Sequence, residues 1–296
     1  MNASAPASGW RGAASDYYEL TKPRIGYLLL LTTFAAMVMA ARGLPPLGLT
    51  LLTLIGGALA AGSAGAFNCV IDRDIDRVMT RTMSRPVATG RISPRAGFVF
   101  ATVLGIVSFA LLYRYVNPLA AWLALAGNLY YVVVYTLWLK RRTALNIVIG
   151  GAAGAVPPLV GWAAVAHSVG APALGMFALI FLWTPPHFWA LALVSSADYE
   201  RARVPMLPNV RGMQRTKVEI FVYTLILVAV SLTLTPLGVM GWWYFVPAAI
   251  LGAVFIWDAW KIFAGPTTPP ARVLFKYSLL YLALICAAMV LDRVIR

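Results

Sequence analysis

The chain has 296 residues, of which 61% are hydrophobic and only 11% charged, whereas soluble domains carry about 25% charged residues. This composition excludes a soluble globular domain and predicts an all-α, polytopic membrane protein. The net charge of +14 would suit nucleic acid, but the basic residues flank apolar runs, so we expect no nucleic-acid partner and attribute the charge to membrane loops.

The first fifteen residues are rich in Ala, Ser and Gly, lack the apolar core of a signal peptide, and are predicted to be flexible. Nine apolar runs follow, each about 17–25 residues long, which is enough to cross a bilayer as a helix. They predict one domain over residues 1–296, built as a bundle of nine transmembrane helices. The predicted spans are Ile25–Ala41, Leu47–Ile71, Gly97–Tyr113, Pro118–Trp138, Leu145–Val165, Ala173–Val194, Val218–Thr235, Trp242–Phe263 and Val273–Leu291.

The distribution of basic residues predicts the orientation of the bundle. With nine spans, the N-terminal segment and the loops after spans 2, 4, 6 and 8 lie on one side. All Lys and Arg residues fall there except Arg42, Arg114, Arg293 and Arg296. Because positive residues stay in the cytoplasm, the N-terminus is expected to be cytoplasmic and the C-terminus periplasmic, in a bacterial inner membrane.

The stretch NCVIDRDIDRVMTRTMSRP, residues 68–86, ends the second span with concentrated charge. Asn68, Asp72 and Asp76 are spaced at i, i+4 and i+8, so a continuing helix would align them on one face, with Asp74 pointing elsewhere. Their oxygens suit Mg²⁺, which also keeps waters for substrate phosphates. The alternative is a helix end neutralised by Arg73 and Arg77, without a metal.

A second charged loop, SSADYERARVPMLPNVRGMQRTK at residues 195–217, follows the sixth span. It lies four spans after the first charged loop and therefore on the same side of the membrane. Both loops place carboxylates at the membrane edge, then arginines, then a Pro-containing segment. Parallel repeats related by an axis along the membrane normal would give this correspondence, and Asp198 is then the counterpart of the first acidic motif.

At these residues the sequence resembles a known family. N68-x-x-x-D72-x-x-x-D76 followed by R77-x-M-x-R81-T-x-x-R85-P resembles the first acidic motif of the UbiA-type membrane prenyltransferases. Within that family the chain is similar to the subfamily that farnesylates protohaem IX. The further matching segments are ELTKPRIGYLLL, YTLWLKRRTALNIVIGGAAGAVPPLVGW, LWTPPHFWALAL and DYERARVPMLP.

The resemblance implies transfer of a farnesyl group from farnesyl diphosphate to a vinyl carbon of haem B. The product would be haem O for cytochrome oxidase assembly, with a haem A synthase as the expected downstream partner. It implies Mg²⁺ as the cofactor, held at the cytoplasmic side by Asn68, Asp72, Asp76 and Asp198. The residues expected to bind the diphosphate are basic: Lys22, Arg24, Arg73, Arg77, Arg81 and Lys140.

Two tyrosines and a histidine complete the expected site. Tyr131 and Tyr135, one turn apart before Lys140, would face the allylic cation through their rings, or else serve as interfacial aromatic residues. His187, eleven residues before Asp198, would be an axial haem ligand, or else a hydrogen-bonded bundle histidine beside Pro185 and Pro186.

The chain departs from the family pattern in three places. Ala202 stands where a second acidic pair would end, with Glu200 off that spacing. Tyr135 and Lys140 are one residue further apart than in Y-x-x-x-K. Arg203 replaces an expected glycine.

Two other functions stay open at this stage. One is a UbiA-type prenyltransferase with an aromatic, quinone-precursor acceptor. The other is an ion-coupled transporter, since acids in membrane spans also mark ion pathways. Transporters place their coupling acids near the bilayer midplane, whereas here the acids crowd one end of the spans.

Overall fold

The computed structural model describes residues 9–296, and within that range every regular element is helical. Short amphipathic or charged helices alternate with long apolar ones. The helices are α1 (Gly9–Leu20), α2 (Pro23–Ala41), α3 (Leu47–Ile71), α4 (Arg73–Val78), α5 (Pro86–Thr89), α6 (Pro94–Tyr115), α7 (Pro118–Leu129), α8 (Asn146–Ala166), α9 (Ala171–Val194), α10 (Ser196–Arg201), α11 (Leu207–Thr233), α12 (Trp242–Ala264) and α13 (Thr268–Ile295). A π-helix, Tyr130–Trp138, and a 3₁₀ turn, Leu139–Arg141, extend α7.

Over the described residues, nine helices are long and apolar enough to cross a membrane. They are α2, α3, α6, α7 with its π-helical extension, α8, α9, α11, α12 and α13, which confirms the predicted all-α bundle of nine spans. Composition alone placed the start of the seventh span at Val218, because polar residues precede it. The helix begins at Leu207 instead, with a break at Gly212, where φ is +82°.

The predicted flexible start is only partly covered by the structure. Residues 1–8 lie outside the described residues, while residues 9–15 form the first part of α1. Helix α1 is amphipathic and buries Leu20 at its C-terminal end. Leu20 belongs to a small apolar cluster with Ala66 and Cys69 of α3, so this segment is anchored to the second span.

Helices α8 and α9 lie at the centre of the bundle. Helix α8 packs on α2, α7 and α9, while α9 packs on α11 and α13, and α13 returns to α2. The approach of α8 to α2 depends on Gly161, because a Cβ there would collide with the carbonyl oxygen of Thr33. Most of the large core cluster comes from α9 and its neighbours.

The two charged loops fold alike. A span ends, one residue leaves helical geometry, and a six-residue helix follows: α3 gives way to α4 at Asp72 (φ −87°, ψ 10°), and α9 gives way to α10 at Ser195 (φ −112°, ψ 22°). Ser195 thus occupies the junction that an acid occupies in the first loop. Both short helices lie at the same end of the bundle, where they position the candidate site.

Candidate active site

A buried polar stripe runs from the end of α3 into α4. The backbone keeps helical hydrogen bonds across the junction, from Asp72 N to Asn68 O (2.9 Å) and from Asp76 N to Asp72 O (2.8 Å). Asn68, Asp72 and Asp76 are almost completely buried, whereas the Asp74 side chain is 61% exposed. The i, i+4, i+8 spacing therefore aligns the three side chains as the sequence predicts.

Each member of the stripe contacts a basic side chain. Lys22 Nζ donates to Asn68 Oδ1, and Lys140 Nζ donates to Asp72 Oδ2. Arg85 Nη1 lies 2.8 Å from both carboxylate oxygens of Asp76. Burial lowers the pKa of Lys22 from its ordinary value, as expected for an ammonium removed from water.

Arg73 and Arg77, which would neutralise the acids in the metal-free alternative, do not contact the stripe. Arg73 donates to the carbonyl of Val70 (3.1 Å) and Arg77 to the carbonyl of Ala88 (3.0 Å). Both bonds fix the backbone of the loop, so these two arginines shape the site from outside. The neutralisation itself comes from Lys140 and Arg85.

Of the other residues expected to bind diphosphate, Arg81 and Arg24 are both exposed. Arg81 lies beside the hydroxyl of Tyr199, whose pKa is raised by burial while Arg81 opposes that rise. Arg24 has no side-chain hydrogen bond or ion pair within the described part of the chain. Lys22 and Lys140 are therefore the members of the predicted set that lie next to the acids.

Asp198 of α10 lies against the first charged loop. Thr80 Oγ1 donates to Asp198 Oδ1 (2.9 Å), and Arg201 contacts both Asp198 and Thr80. Asn146, at the start of α8, also reaches the second loop through the carbonyl of Pro205 (3.3 Å). Three loops thus meet at one end of the bundle, and the acids of both motifs face a shared region.

The π-helix accounts for the longer spacing between Tyr135 and Lys140. In a π-helix the backbone bonds run from residue i to i+5 rather than i+4, and here Leu139 N bonds to both Val134 O and Tyr135 O. Thr136 Oγ1 donates to Tyr131 O, also five residues back (2.9 Å), and accepts from Asn68 Nδ2 (3.1 Å). The extra residue is absorbed by the wider turn, and Lys140 still reaches Asp72.

Tyr131 and Tyr135 lie together on this π-helix, with ring centroids 5.3 Å apart. The Tyr135 ring packs directly on Gly150 of α8, where a Cβ would overlap the ring. Both tyrosines are half-buried, so they line the interior next to the stripe rather than the outer face of the bundle.

The donor set suits a hard cation. The oxygens of Asn68, Asp72 and Asp76 are of the kind that Mg²⁺ prefers, and Asp72 Oδ1 is buried without a hydrogen-bond partner, with only Arg141 at 3.7 Å. Burial of a carboxylate oxygen without a hydrogen-bond partner destabilises the folded protein unless a ligand binds to that oxygen. No group of three His, Cys, Asp or Glu side chains with metal-binding geometry occurs in residues 9–296, and the donor set described here includes the amide of Asn68.

Arg141 and Arg85 are two site residues that sequence reasoning did not select. Arg141 forms a two-pronged contact with Asp74, with both N–O distances at 2.7 Å, and also donates to Ile71 O. The Arg141 hydrogen bonds lower the pKa of Asp74 to about 2. Arg85 stands in the quoted motif before a proline, but its reach of nine residues back to Asp76 follows from the α4–α5 turn, which spacing alone does not reveal.

His187 lies inside the bundle, stacked between Trp183 and Phe275 with ring centroids 4.3 and 4.7 Å away. Its Nδ1 lies 2.6 Å from Ser278 Oγ, whose own hydroxyl donates to Phe275 O (2.8 Å). Because the serine proton is used there, Nδ1 is the donor to Ser278. Nε2 then carries a lone pair and has no hydrogen-bond partner in the described residues. Its role as a haem ligand stays a prediction.

Comparisons with known proteins agree with this geometry. Residues 29–285 match the UbiA prenyltransferase family. A protein of Gloeobacter violaceus named protoheme IX farnesyltransferase is 55% identical over 284 residues, which covers 95% of this chain and 93% of that protein. A protein of Chloroflexus aurantiacus with the same name is 53% identical over 292 residues; the match covers 99% of this chain, which spans about half (49%) of that longer relative.

Solved structures share the fold at low identity. A digeranylgeranylglyceryl phosphate synthase superposes with a TM-score of 0.80 at 18% identity, covering 96% of this chain and 99% of that one. A UbiA homologue of Archaeoglobus fulgidus, bound to GPP and Mg²⁺, superposes with a TM-score of 0.68 at 16% identity, covering 95% and 100%. The match over most of the length, together with the paired acidic loops, establishes that the chain belongs to the UbiA prenyltransferase family.

Proposed function

We propose that this protein transfers the farnesyl group of farnesyl diphosphate to a vinyl group of haem B and so forms haem O. The observation that carries the proposal is identity above 50% over nearly the whole chain to several proteins named protoheme IX farnesyltransferase. The buried acidic stripe with basic neighbours supplies the chemistry that such a transfer needs. Haem B and farnesyl diphosphate are the two substrates, and a haem A synthase is the proposed consumer of the product.

The basic residues at the site are placed to bind the diphosphate. Lys22 and Lys140 are partly buried beside the stripe, where a charge-assisted hydrogen bond is stronger than in water. Arg85 adds a planar guanidinium suited to phosphate oxygens. These three cations would hold the diphosphate oxygens as negative charge develops on the leaving group.

The proposed ligands of Mg²⁺ are Asn68, Asp72, Asp76 and Asp198. When bound, the metal would offset the charge of the departing diphosphate. The protein's own contribution is to align three oxygen donors on one helical face and to bring the second loop alongside through Thr80. The unpartnered Asp72 Oδ1 is the ligand atom most clearly available to an incoming cation.

Tyr131 and Tyr135 are proposed to face the allylic carbon of the farnesyl group. A tyrosine ring attracts a cation through its negative face, and the two rings lie on the same segment that carries Lys140. Ionisation would leave the carbocation close to the diphosphate, so rings adjacent to Lys140 are in the right region. Their half-buried setting also limits the access of water, which would otherwise consume the cation.

We place the site at the cytoplasmic side of a bacterial inner membrane. The basis is the excess of Lys and Arg at the end of the bundle that carries the acids. This crowding of the acids at one end also disfavours an ion-coupled transporter, whose coupling acids belong near the midplane.

The test is a transfer assay with the purified protein. Farnesyl diphosphate and haem B are supplied with Mg²⁺, and the haem is analysed by mass spectrometry; a parallel reaction offers 4-hydroxybenzoate as the acceptor. The proposal predicts a farnesylated haem and an unchanged hydroxybenzoate. Prenylation of the hydroxybenzoate instead would support the quinone-precursor alternative, and release of no diphosphate from farnesyl diphosphate would argue against a prenyltransferase.

A further inference from the structure

Every proposed metal ligand in this protein already contacts a cation of the chain itself. Lys22 contacts Asn68, Lys140 contacts Asp72, Arg85 contacts Asp76, and Arg201 contacts Asp198. For Asn68, Asp72 and Asp198 a single oxygen carries the contact, while Arg85 lies against both oxygens of Asp76. A metal ion therefore competes with a protein cation at each of these contacted oxygens, while Asp72 Oδ1, with only Arg141 at 3.7 Å, is available to it.

We infer that Lys140 and Arg85 are exchange residues: each lies on a carboxylate in the free protein and moves to the diphosphate when the metal takes its place. This inference rests on the proposed function, because it assumes a diphosphate substrate. It goes beyond that function by assigning Lys140 and Arg85 a second position on the carboxylates, which they leave when metal and diphosphate bind.

Charge balance explains why the exchange requires the metal ion and the diphosphate to bind together. Three carboxylates (Asp72, Asp76 and Asp198) stand against four cations, so a metal ion entering alone adds positive charge to a region that is already positive. A diphosphate entering alone meets three carboxylates that repel it. When both enter, the cations released from the carboxylates find phosphate oxygens, and the metal neutralises the carboxylates that they left.

The burial of these groups strengthens the coupling. Asp72 is completely buried, and the Lys140 side chain is only 14% exposed. Interactions between charges are several-fold stronger in such surroundings than in water. A lysine that leaves Asp72 without a replacement would strand a buried carboxylate, which is strongly unfavourable. Lys140 has a long, flexible stem, so it can change partners without a movement of the backbone.

The inference predicts that removing an exchange cation improves metal binding to the free protein. The probe is Mn²⁺ alone, an ion that also accepts oxygen ligands, and binding is measured by loss of the free-ion EPR signal. Lys140→Gln is expected to bind Mn²⁺ more tightly than the wild type, by roughly 5- to 150-fold, the usual range of coupling between two sites. Arg85→Gln, which frees both carboxylate oxygens of Asp76, should act in the same direction and is the second test if Lys140→Gln does not fold.

Lys261→Gln is the matched control. Lys261 forms an ion pair, 2.7 Å from Asp258 on α12, and neither residue contacts a proposed metal ligand, so the loss of Lys261 should leave Mn²⁺ binding at the wild-type level. Inorganic pyrophosphate, after subtraction of its own complex with Mn²⁺, should tighten Mn²⁺ binding to the wild type and do so less in Lys140→Gln.

Unchanged or weaker Mn²⁺ binding in both Lys140→Gln and Arg85→Gln, measured at a temperature at which both variants are folded, would overturn the inference. That result is distinguishable from failure of the proposed function, because transfer of farnesyl to haem B is measured on the wild type. If the wild type transfers farnesyl but the variants show no gain in Mn²⁺ affinity, only the exchange is rejected. If the variants gain Mn²⁺ affinity but the wild type transfers no farnesyl to haem B, only the haem substrate is rejected.

Discussion

Thr80 Oγ1 in the loop after the second span lies 2.9 Å from Asp198 Oδ1 in the loop after the sixth span. These residues are 118 positions apart in the chain, yet Arg201 binds both of them. The contact joins the two acidic loops into one region. The two loops that resemble each other in sequence are therefore also in contact in the fold.

The shared position of the two loops predicts their labelling. Met83→Cys and Glu200→Cys, both at exposed positions, should react with an impermeant thiol reagent only from the cytoplasmic side. Leu44→Cys, 86% exposed and at the opposite end of α2 and α3, should react only from the periplasm. The native Cys69 and Cys286 are buried and should give little background. Labelling of residues 83 and 200 from different sides would contradict a shared site.

Asp72→Asn and Asp76→Asn should each reduce farnesyl transfer by more than about 100-fold, since loss of groups that merely support a metal ligand already costs about 10- to 100-fold. Both variants keep the shape of the side chain but remove the carboxylate that pairs with Lys140 or Arg85, so Tm should fall, and transfer is compared at a temperature at which each variant is folded. Asp74→Asn is the matched control: Asp74 is adjacent and acidic but exposed, and it should retain most of the activity. A fully active Asp72→Asn at saturating Mg²⁺ would remove this residue from the metal site.

The basic residues should separate into two groups by their effect on KM for farnesyl diphosphate. Lys22→Ala and Lys140→Ala each remove a partly buried cation next to the acids, and a charge-assisted hydrogen bond contributes about 1.5–3 kcal/mol, so this KM should rise by at least an order of magnitude. Arg24→Ala should have a small effect, because Arg24 is exposed. Steady-state kinetics with each substrate varied in turn measures this. A rise in KM for haem B alone would assign the lysines to the haem propionates.

His187 is predicted to be an axial haem ligand through Nε2. Its Nδ1–H donates to Ser278, which is the kind of hydrogen bond that orients a metal-binding histidine. His187→Ala should therefore shift the visible spectrum of bound haem and weaken haem binding, while binding of metal and diphosphate is preserved. Ser278→Ala should give a smaller spectral shift. An unchanged haem spectrum together with a lowered Tm would make His187 a core residue held by stacking on Trp183 and Phe275.

The spans were predictable because membrane helices require long apolar runs. The second span, Leu47–Ile71, was predicted with its observed bounds, since charge begins immediately after it. The start of the seventh span was not predicted, because Leu207–Lys217 is helical but polar and hydropathy detects only the apolar part of the helix. Residues 9–15 were predicted to be flexible from their composition, but they form part of α1. The C-terminal residue of that helix, Leu20, is buried in an apolar cluster.

Within the site, sequence spacing predicted which acids align but not which cations meet them. The stripe of Asn68, Asp72 and Asp76 depends on local helical geometry, which spacing determines. The contacts of Lys140 and Arg85 depend on where distant loops fold, so spacing could not show that these two residues, rather than the nearer Arg73 and Arg77, pair with the acids. The π-helix that brings Lys140 into reach was visible only as one extra residue after Tyr135.

The central claim is that this protein farnesylates haem B, and the haems of cells that overproduce it test that claim most directly. Mass spectrometry of haems extracted from cells with the wild-type protein should show haem O, heavier than haem B by a farnesyl group and a hydroxyl group, which are added to the two carbons of one vinyl group. Cells that produce Asp76→Asn at the same level should show only haem B. An identical haem profile in both strains, with haem B alone, would contradict the account.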